Sequence, residues 1–240
     1  MPRIETNSTN FTNSYYQCFM DEFVIYYLFV MIPLFITGIG TGIGKTIVSA
    51  IVTEALQANY WKPIQAGFED GTDALQVQLL ISNTQTIIHP EVYKLQLAAS
   101  PHIAARKENI VIDLKSIVNR QPSTINSQLI IEGAGGIMVP LNDHEFVIDL
   151  IAALNAKVIL VSRNYLGSIN HSLLTANICK QRGIDVLGWI FNDQYLDYEN
   201  EIVAWTGFPK IASIPFIEKV DKAFVLQQAE IIRLPLQQLL

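Results

Sequence analysis

The stretch Gly38-Ile39-Gly40-Thr41-Gly42-Ile43-Gly44-Lys45-Thr46 lies between two apolar runs. Pro33 to Ile36 suits a buried strand, and Ile47 to Val52 suits a buried helix. Strand, glycine loop, Gly-Lys-Thr and helix form the context that a phosphate-binding loop requires. Glycines let backbone N–H groups turn inward around phosphate oxygens, and the helix N-terminus adds partial positive charge. Lys45 is placed to reach terminal phosphates, and Thr46 to offer a hydroxyl to Mg²⁺. The usual spacing would put a glycine at Ile39; the nearest glycine before it is Gly38, so the loop is one residue longer.

The rest of the chain supplies the fold that such a loop needs. Strand patterns at Pro33–Thr37, Tyr60–Ile64, Gln128–Glu132, Lys157–Ser162, Val186–Phe191 and Lys210–Ile214 alternate with helical ones. The helices are expected at Lys45–Ala58, Asp73–Ile81, Leu114–Asn119, Phe146–Leu154, Ile169–Gln181, Tyr198–Trp205 and Lys222–Ile231. The alternation predicts an α/β fold: a doubly wound, mostly parallel sheet with helices on both faces, of the P-loop NTPase type. At 240 residues, half of them apolar, the chain can bury a full core, and one domain over residues 31–240 is expected.

A net charge of −6 and a pI near 5.2 argue against a nucleic-acid surface. Cys18 and Cys179 form no motif and fit a reduced, cytoplasmic protein, and His89, His102, His144 and His171 have no metal-ligand spacing. Residues 1–22 are polar and carry two glycosylation-type triplets, Asn7-Ser8-Thr9 and Asn10-Phe11-Thr12. The fourteen uncharged residues Phe23–Ile36 then raise the question of a membrane anchor. They fall short of the roughly 20 needed to span a bilayer, and the last few are needed as a strand. A signal peptide fits poorly, since the run starts late and follows Asp21-Glu22. Residues 1–30 are therefore expected to be an extension outside the fold, with Met31 as an alternative start and a genuine appendage as the other reading.

In doubly wound sheets ligands bind beyond the carboxyl ends of the strands, so residues just after each strand are the candidates. Lys62, in Trp61-Lys62-Pro63, is costly at a buried strand end unless it meets an anion; otherwise it is a surface lysine. Asp73 follows Gly71-Thr72, where it can cap a helix or sit beside a metal. Glu132 ends the apolar run Leu129-Ile130-Ile131 and precedes Gly133-Ala134-Gly135-Gly136, the position where a nucleotide hydrolase holds its metal. Asn192-Asp193 after the fifth strand can read a purine edge or start a turn. The N–H groups of the segment Gly167-Ser168-Ile169-Asn170 open a helix and suit a carboxylate, with capping by Ser168 as the plainer alternative.

Together these segments resemble dethiobiotin synthetase over about residues 34–217. The resemblance rests on Gly38–Thr46, Lys62-Pro63, Asp73, Ser100-Pro101-His102, Glu132–Gly136, Leu166–Leu174, Trp189 with Asn192-Asp193, and Ile214-Pro215. It implies a cytoplasmic, ATP- and Mg²⁺-dependent ligase that joins CO₂ to 7,8-diaminononanoate and closes a cyclic urea. One amine and CO₂ give a carbamate, the γ-phosphoryl group converts it to a mixed anhydride, and the second amine attacks. The resemblance implies Thr46, Asp73 and Glu132 around Mg²⁺, and Lys45 and Lys62 on the phosphates and carbamate. It further implies nucleotide contacts from Gly42, Ile43, Gly44, Lys45, Thr46, Ile47, Gly133, Ala134 and Gly135. Asn192 and Asp193 would meet adenine in a pocket lined by Pro215 and Phe216. Thr41, Ala66, Gly167, Ser168, Ile169 and Asn170 are implied at the substrate, the last four acting across a homodimer interface, with neither nucleic acid nor membrane as a partner. The family often carries an acidic residue at Gly40 and a hydroxyl at Ala66; without that hydroxyl, the substrate contact at Ala66 is an open question.

Three rivals share the fold. A partition or cell-division ATPase carries a lysine early in the loop, and Gly38–Gly44 has none. A larger amide-forming synthase needs a glutamine-hydrolysing domain. A nucleotide-binding regulator with a dead site has no use for Glu132, Asp73 and both lysines.

Overall fold

The computed structural model describes residues 30–193 and 196–240; the extension expected over residues 1–30 lies outside this range except for Val30. The elements are β1 (Leu34–Gly38), α1 (Lys45–Leu56), β2 (Asn59–Trp61), β3 (Ile64–Ala66), α2 (Asp73–Leu80), β4 (Ile88–His89), β5 (Tyr93–Leu95), α3 (Pro101–Lys107) and α4 (Leu114–Val118). They continue with β6 (Leu129–Glu132), α5 (Val147–Ala153), β7 (Lys157–Arg163), α6 (Ser168–Gln181), β8 (Val186–Asn192), α7 (Glu199–Thr206), β9 (Lys210–Ile214) and α8 (Lys222–Gln237). Val30 makes an isolated antiparallel bridge to Ile125, and the Met31 N–H donates to the Thr124 carbonyl at 3.0 Å.

The main sheet has seven strands in the order β4-β2-β6-β1-β7-β8-β9, and every pairing in it is parallel. Its two faces read directly from the period of 2 in the strands. Leu34 and Ile36 of β1 join α1, α2 and α8 in one core, through Val48, Ile51, Val77, Val225 and Ala229. Phe35, between them, joins α3, α4, α5, α6 and α7 in the other, with Ala104, Ile117, Ile148, Cys179 and Ile202. Both faces are thus covered, as parallel sheets require, and the strand interiors are mainly apolar, with Thr37 and Ser162 among the buried exceptions. Burial pushes the Cys179 thiol up to about 12, which leaves it a packing residue.

One expected strand divides in two. Tyr60–Ile64 reads as continuous, yet β2 stops at Trp61 and β3 begins at Ile64. Pro63 lacks the N–H that a central ladder needs, and its carbonyl instead accepts from Val92 and Tyr93 at 2.9 and 3.0 Å. The chain swings out, and β3 pairs in parallel with β5 as a separate two-stranded sheet. The short β4 and β5 carry too few residues to show a period. The α3 helix has a sequence signal in Ser100-Pro101, since Pro101 stands at its start. At the other end α8 runs on to Gln237, past Pro235, where a stop near Ile231 is expected.

Candidate active site

The loop between β1 and α1 is shaped by its glycines. Gly42 and Gly44 have φ of 70° and 86°, a region costly for other residues. A side chain at Gly44 would also strike the Asn192 amide, whose Nδ2 lies 1.7 Å from a Cβ built there. Ile43 between them is buried in the core and anchors the loop. Lys45 opens α1 and folds back over the loop, its ammonium donating to the Gly40 carbonyl at 2.7 Å. Burial lowers its pKa to about 8, against the opposing field of Glu132; Lys62 lowers it further and Asp73 resists.

Next to this loop five side chains from four segments converge. Thr46 Oγ1 lies 2.6 Å from Asp73 Oδ1 and 3.1 Å from Glu132 Oε1. The Lys62 ammonium lies 2.7 Å from Asp73 Oδ2 and 2.9 Å from Glu132 Oε1. The Tyr60 hydroxyl donates to Glu132 Oε2 at 2.8 Å. Lys62 and Glu132 are only 4% and 1% exposed, so neither tolerates isolation. Burial alone would lower the Lys62 pKa, but Glu132 and then Asp73 outweigh it and hold the ammonium charged. Burial likewise works to raise the Asp73 pKa, and Lys62, Thr46 and Gln65 overcome it, so the carboxylate stays ionised. The alternative capping role for Asp73 is taken by its neighbour: the Thr72 hydroxyl accepts from the Leu75 N–H at 3.1 Å. One hydroxyl within hydrogen-bond reach of two carboxylates forms a hard oxygen set, which fits Mg²⁺ held with waters and phosphate oxygens.

A cavity of about 670 Å³ opens above this cluster. Of the residues singled out in the sequence, Thr41, Gly42, Gly44, Lys45, Thr46, Ile47, Lys62, Ala66, Asp73, Glu132, Ala134 and Gly135 line it. A second cavity of about 190 Å³ lies on the far side of the loop, with Ile43, Asn192, Asp193, Pro215 and Phe216 in its wall. There the Asn192 amide donates to the Ile43 carbonyl at 3.0 Å, tying the end of β8 to the phosphate loop. Asp193 takes a left-handed turn at φ 67° and accepts from Arg163 Nε and Nη2 at 3.1 and 2.9 Å. Arg163 also reaches the Gly42 carbonyl at 3.4 Å.

The Gly167–Asn170 segment lines neither cavity. Gly167, at φ 104°, precedes α6, while Gly167 and Asn170 are exposed and Leu166 is 87% exposed. Ser168 does not cap the helix. It is fully buried, its hydroxyl 2.7 Å from that of Tyr198, which donates in turn to the Tyr165 carbonyl at 3.1 Å. Gly133 also stands back from the cavities: its N–H donates to the Ile36 carbonyl, and a side chain there would meet the Phe35 ring at 2.7 Å.

Three residues of the site carry no sequence signal. Tyr60 reads as an apolar strand residue, Gln65 as loop, and Arg163 as a strand-end cation. Gln65 accepts from the Asp73 N–H at 3.2 Å and donates to the Gly67 carbonyl at 2.7 Å. Only the parity of Tyr60, Lys62 and Glu132 on one sheet face could have connected the first of these to the site.

The fold and the sequence both have relatives. In fold, the chain resembles a ParA family ATPase of Chlorobium tepidum, with a TM-score of 0.52 at 14% identity over 85% of this chain and 92% of that one. A family model described as an AAA domain matches residues 33–223. An ATP-dependent dethiobiotin synthetase of Cytophaga hutchinsonii is 50% identical over 196 residues, 81% of this chain and 94% of its own. Its counterpart in Rhodopseudomonas palustris is 41% identical over 189 residues, 78% of this chain and 88% of its own. A parallel seven-stranded sheet, a Gly-Lys-Thr loop and identity of this extent together show that the chain belongs to the dethiobiotin synthetase family of P-loop proteins.

Proposed function

We propose that this chain is an ATP-dependent dethiobiotin synthetase that joins CO₂ to 7,8-diaminononanoate and closes the cyclic urea, releasing ADP and phosphate. The observation that carries the reading is the junction of Lys62, Asp73, Glu132 and Thr46 beneath a cavity of about 670 Å³ beside the phosphate loop. Lys45 and Lys62 hold the carbamate and the triphosphate together despite their like charge, which places the reacting atoms in line. Thr46, Asp73 and Glu132 are the residues that would hold Mg²⁺. Mg²⁺, when bound, neutralises phosphate charge. The carbamate oxygen takes the γ-phosphoryl group as ADP departs. The second amine then attacks the carbamoyl carbon, and phosphate leaves with that oxygen. Asn192 and Asp193, with Pro215 and Phe216, form the wall that meets adenine. Thr41 and Ala66 face the diamine. The catalytic domain spans residues 31–240, and its setting is cytoplasmic.

The test is phosphate release from ATP with bicarbonate present, with and without the diamine. Diamine-dependent release with formation of the cyclic urea is expected. Release that ignores the diamine would return the chain to the partition-type or regulatory readings.

The active unit in this proposal is a homodimer, because Gly167 and Asn170 are exposed and the Gly167–Asn170 segment lines neither cavity of its own chain. The Ser168 N–H is taken by the Tyr165 carbonyl and that of His171 by Gly167, so the N–H groups of Ile169 and Asn170 are the ones proposed to meet the substrate carboxylate of a partner subunit. Asn170→Ala and Lys45→Ala proteins, each inactive alone, should recover activity when mixed, through hybrids with one intact site. No recovery despite proven subunit exchange would mean that each subunit works alone.

A further inference from the structure

Tyr60 is a polar residue in an apolar place. It lies in β2, fully buried in the core formed by Leu34, Ile36, Ile51 and Ile130, where a phenylalanine would fill the same space. What its hydroxyl adds is one hydrogen bond, 2.8 Å to Glu132 Oε2. Glu132 Oε1 has separate partners, Lys62 at 2.9 Å and Thr46 at 3.1 Å. The two oxygens of one carboxylate are thereby divided: Oε2 is held in the core and Oε1 is left to the cavity.

We infer that Tyr60 is a positioning residue that presents Glu132 to the phosphate site through a single oxygen and so sets the preference of the site for Mg²⁺ over Ca²⁺. The inference rests on Glu132 being the metal-facing carboxylate of the proposed function. Mg²⁺ demands near-ideal octahedral geometry at short distance, whereas Ca²⁺ accepts carboxylates through both oxygens in looser shells. A carboxylate with one oxygen tied back serves the first ion and handicaps the second. Freed from Tyr60, Glu132 can turn and offer both oxygens.

The test is calorimetric binding of ADP as Mg²⁺ or Ca²⁺ is titrated, without turnover, for the native protein and for Tyr60→Phe, Glu132→Gln and the double variant. Tyr60→Phe should weaken the Mg²⁺-supported binding by about tenfold, the scale typical of lost groups that orient a ligand. Ca²⁺-supported binding should be unchanged or tighter, and metal-free ADP binding unchanged. Equal losses with both ions, or none, would overturn the inference, since a mere packing role cannot distinguish the ions. In the Glu132→Gln background, Tyr60→Phe should change nothing further; a further change there also overturns it, and this comparison stands even if the single variant folds poorly. If Glu132→Gln leaves Mg²⁺ dependence intact, the underlying site assignment fails. If Glu132→Gln removes that dependence and Tyr60→Phe does not weaken it, only the role of Tyr60 fails.

Discussion

Lys62→Ala should abolish diamine-dependent phosphate release and also destabilise the protein, two effects with one cause. Lys62 is buried with its ammonium 2.7 Å from Asp73 and 2.9 Å from Glu132. Removing one member of a buried ion cluster leaves uncompensated charge and typically costs about 3–5 kcal/mol. Here two carboxylates are stranded, and under the proposed function the carbamate and the γ-phosphate would lose the cation between them. A loss on the order of a thousandfold in kcat is expected, beyond any part due to unfolded protein. Thermal unfolding separates the two effects. Mg²⁺ should raise the melting temperature of Lys62→Ala more than that of the native protein, because it can supply the missing positive charge. Near-native turnover in a folded Lys62→Ala protein would remove this residue from the chemistry.

Glu132→Gln is expected to have the next largest effect, roughly a hundredfold or more in kcat. The amide keeps the size of the side chain and its oxygen can still accept a hydrogen bond, but its NH₂ then meets a donor, Tyr60 on one side or Lys62 and Thr46 on the other, so some stability is lost with the charge. It loses the charge that would hold Mg²⁺ and that helps to keep Lys62 protonated. Diamine binding, followed by calorimetry, should persist. The Mg²⁺ concentration needed for half-maximal phosphate release should rise, and a variant with unchanged Mg²⁺ dependence would place the metal elsewhere.

Much of this site was legible because it lies where strands end. The Gly-Lys-Thr loop, Lys62, Asp73 and Glu132 stand after or just beyond separate strand patterns, and a parallel sheet brings such positions to one edge. The same logic singled out Asn192 and Asp193, whereas Pro215 and Phe216, which share their cavity wall, came from the family resemblance alone. The hidden parts have physical reasons. Pro63 was visible, but that it would divert the strand into a second sheet depends on the β5 partner, and three residues carry no period. Tyr60 looked apolar because its neighbours are, and its one polar contact spans 72 residues of chain. Ser168 invited a capping role through its position, whereas its hydroxyl points into the fold toward Tyr198.

The break at Pro63 separates two jobs that a continuous strand would have joined. Before it, β2 is locked into the seven-stranded sheet and carries Tyr60 and, at its end, Lys62. After it, Gln65 and Ala66 belong to the two-stranded sheet and form one wall of the cavity with Ala98, Ala99 and Ser100. The cluster beside the phosphate loop is thus built on the main sheet, while part of the cavity wall hangs on the small sheet outside it. Gln65, bonded to the Asp73 N–H, is a direct hydrogen-bonded strut between the two. A larger side chain at Ala66 or Ala98 should therefore be absorbed by the small sheet, leaving the seven-stranded sheet as it is.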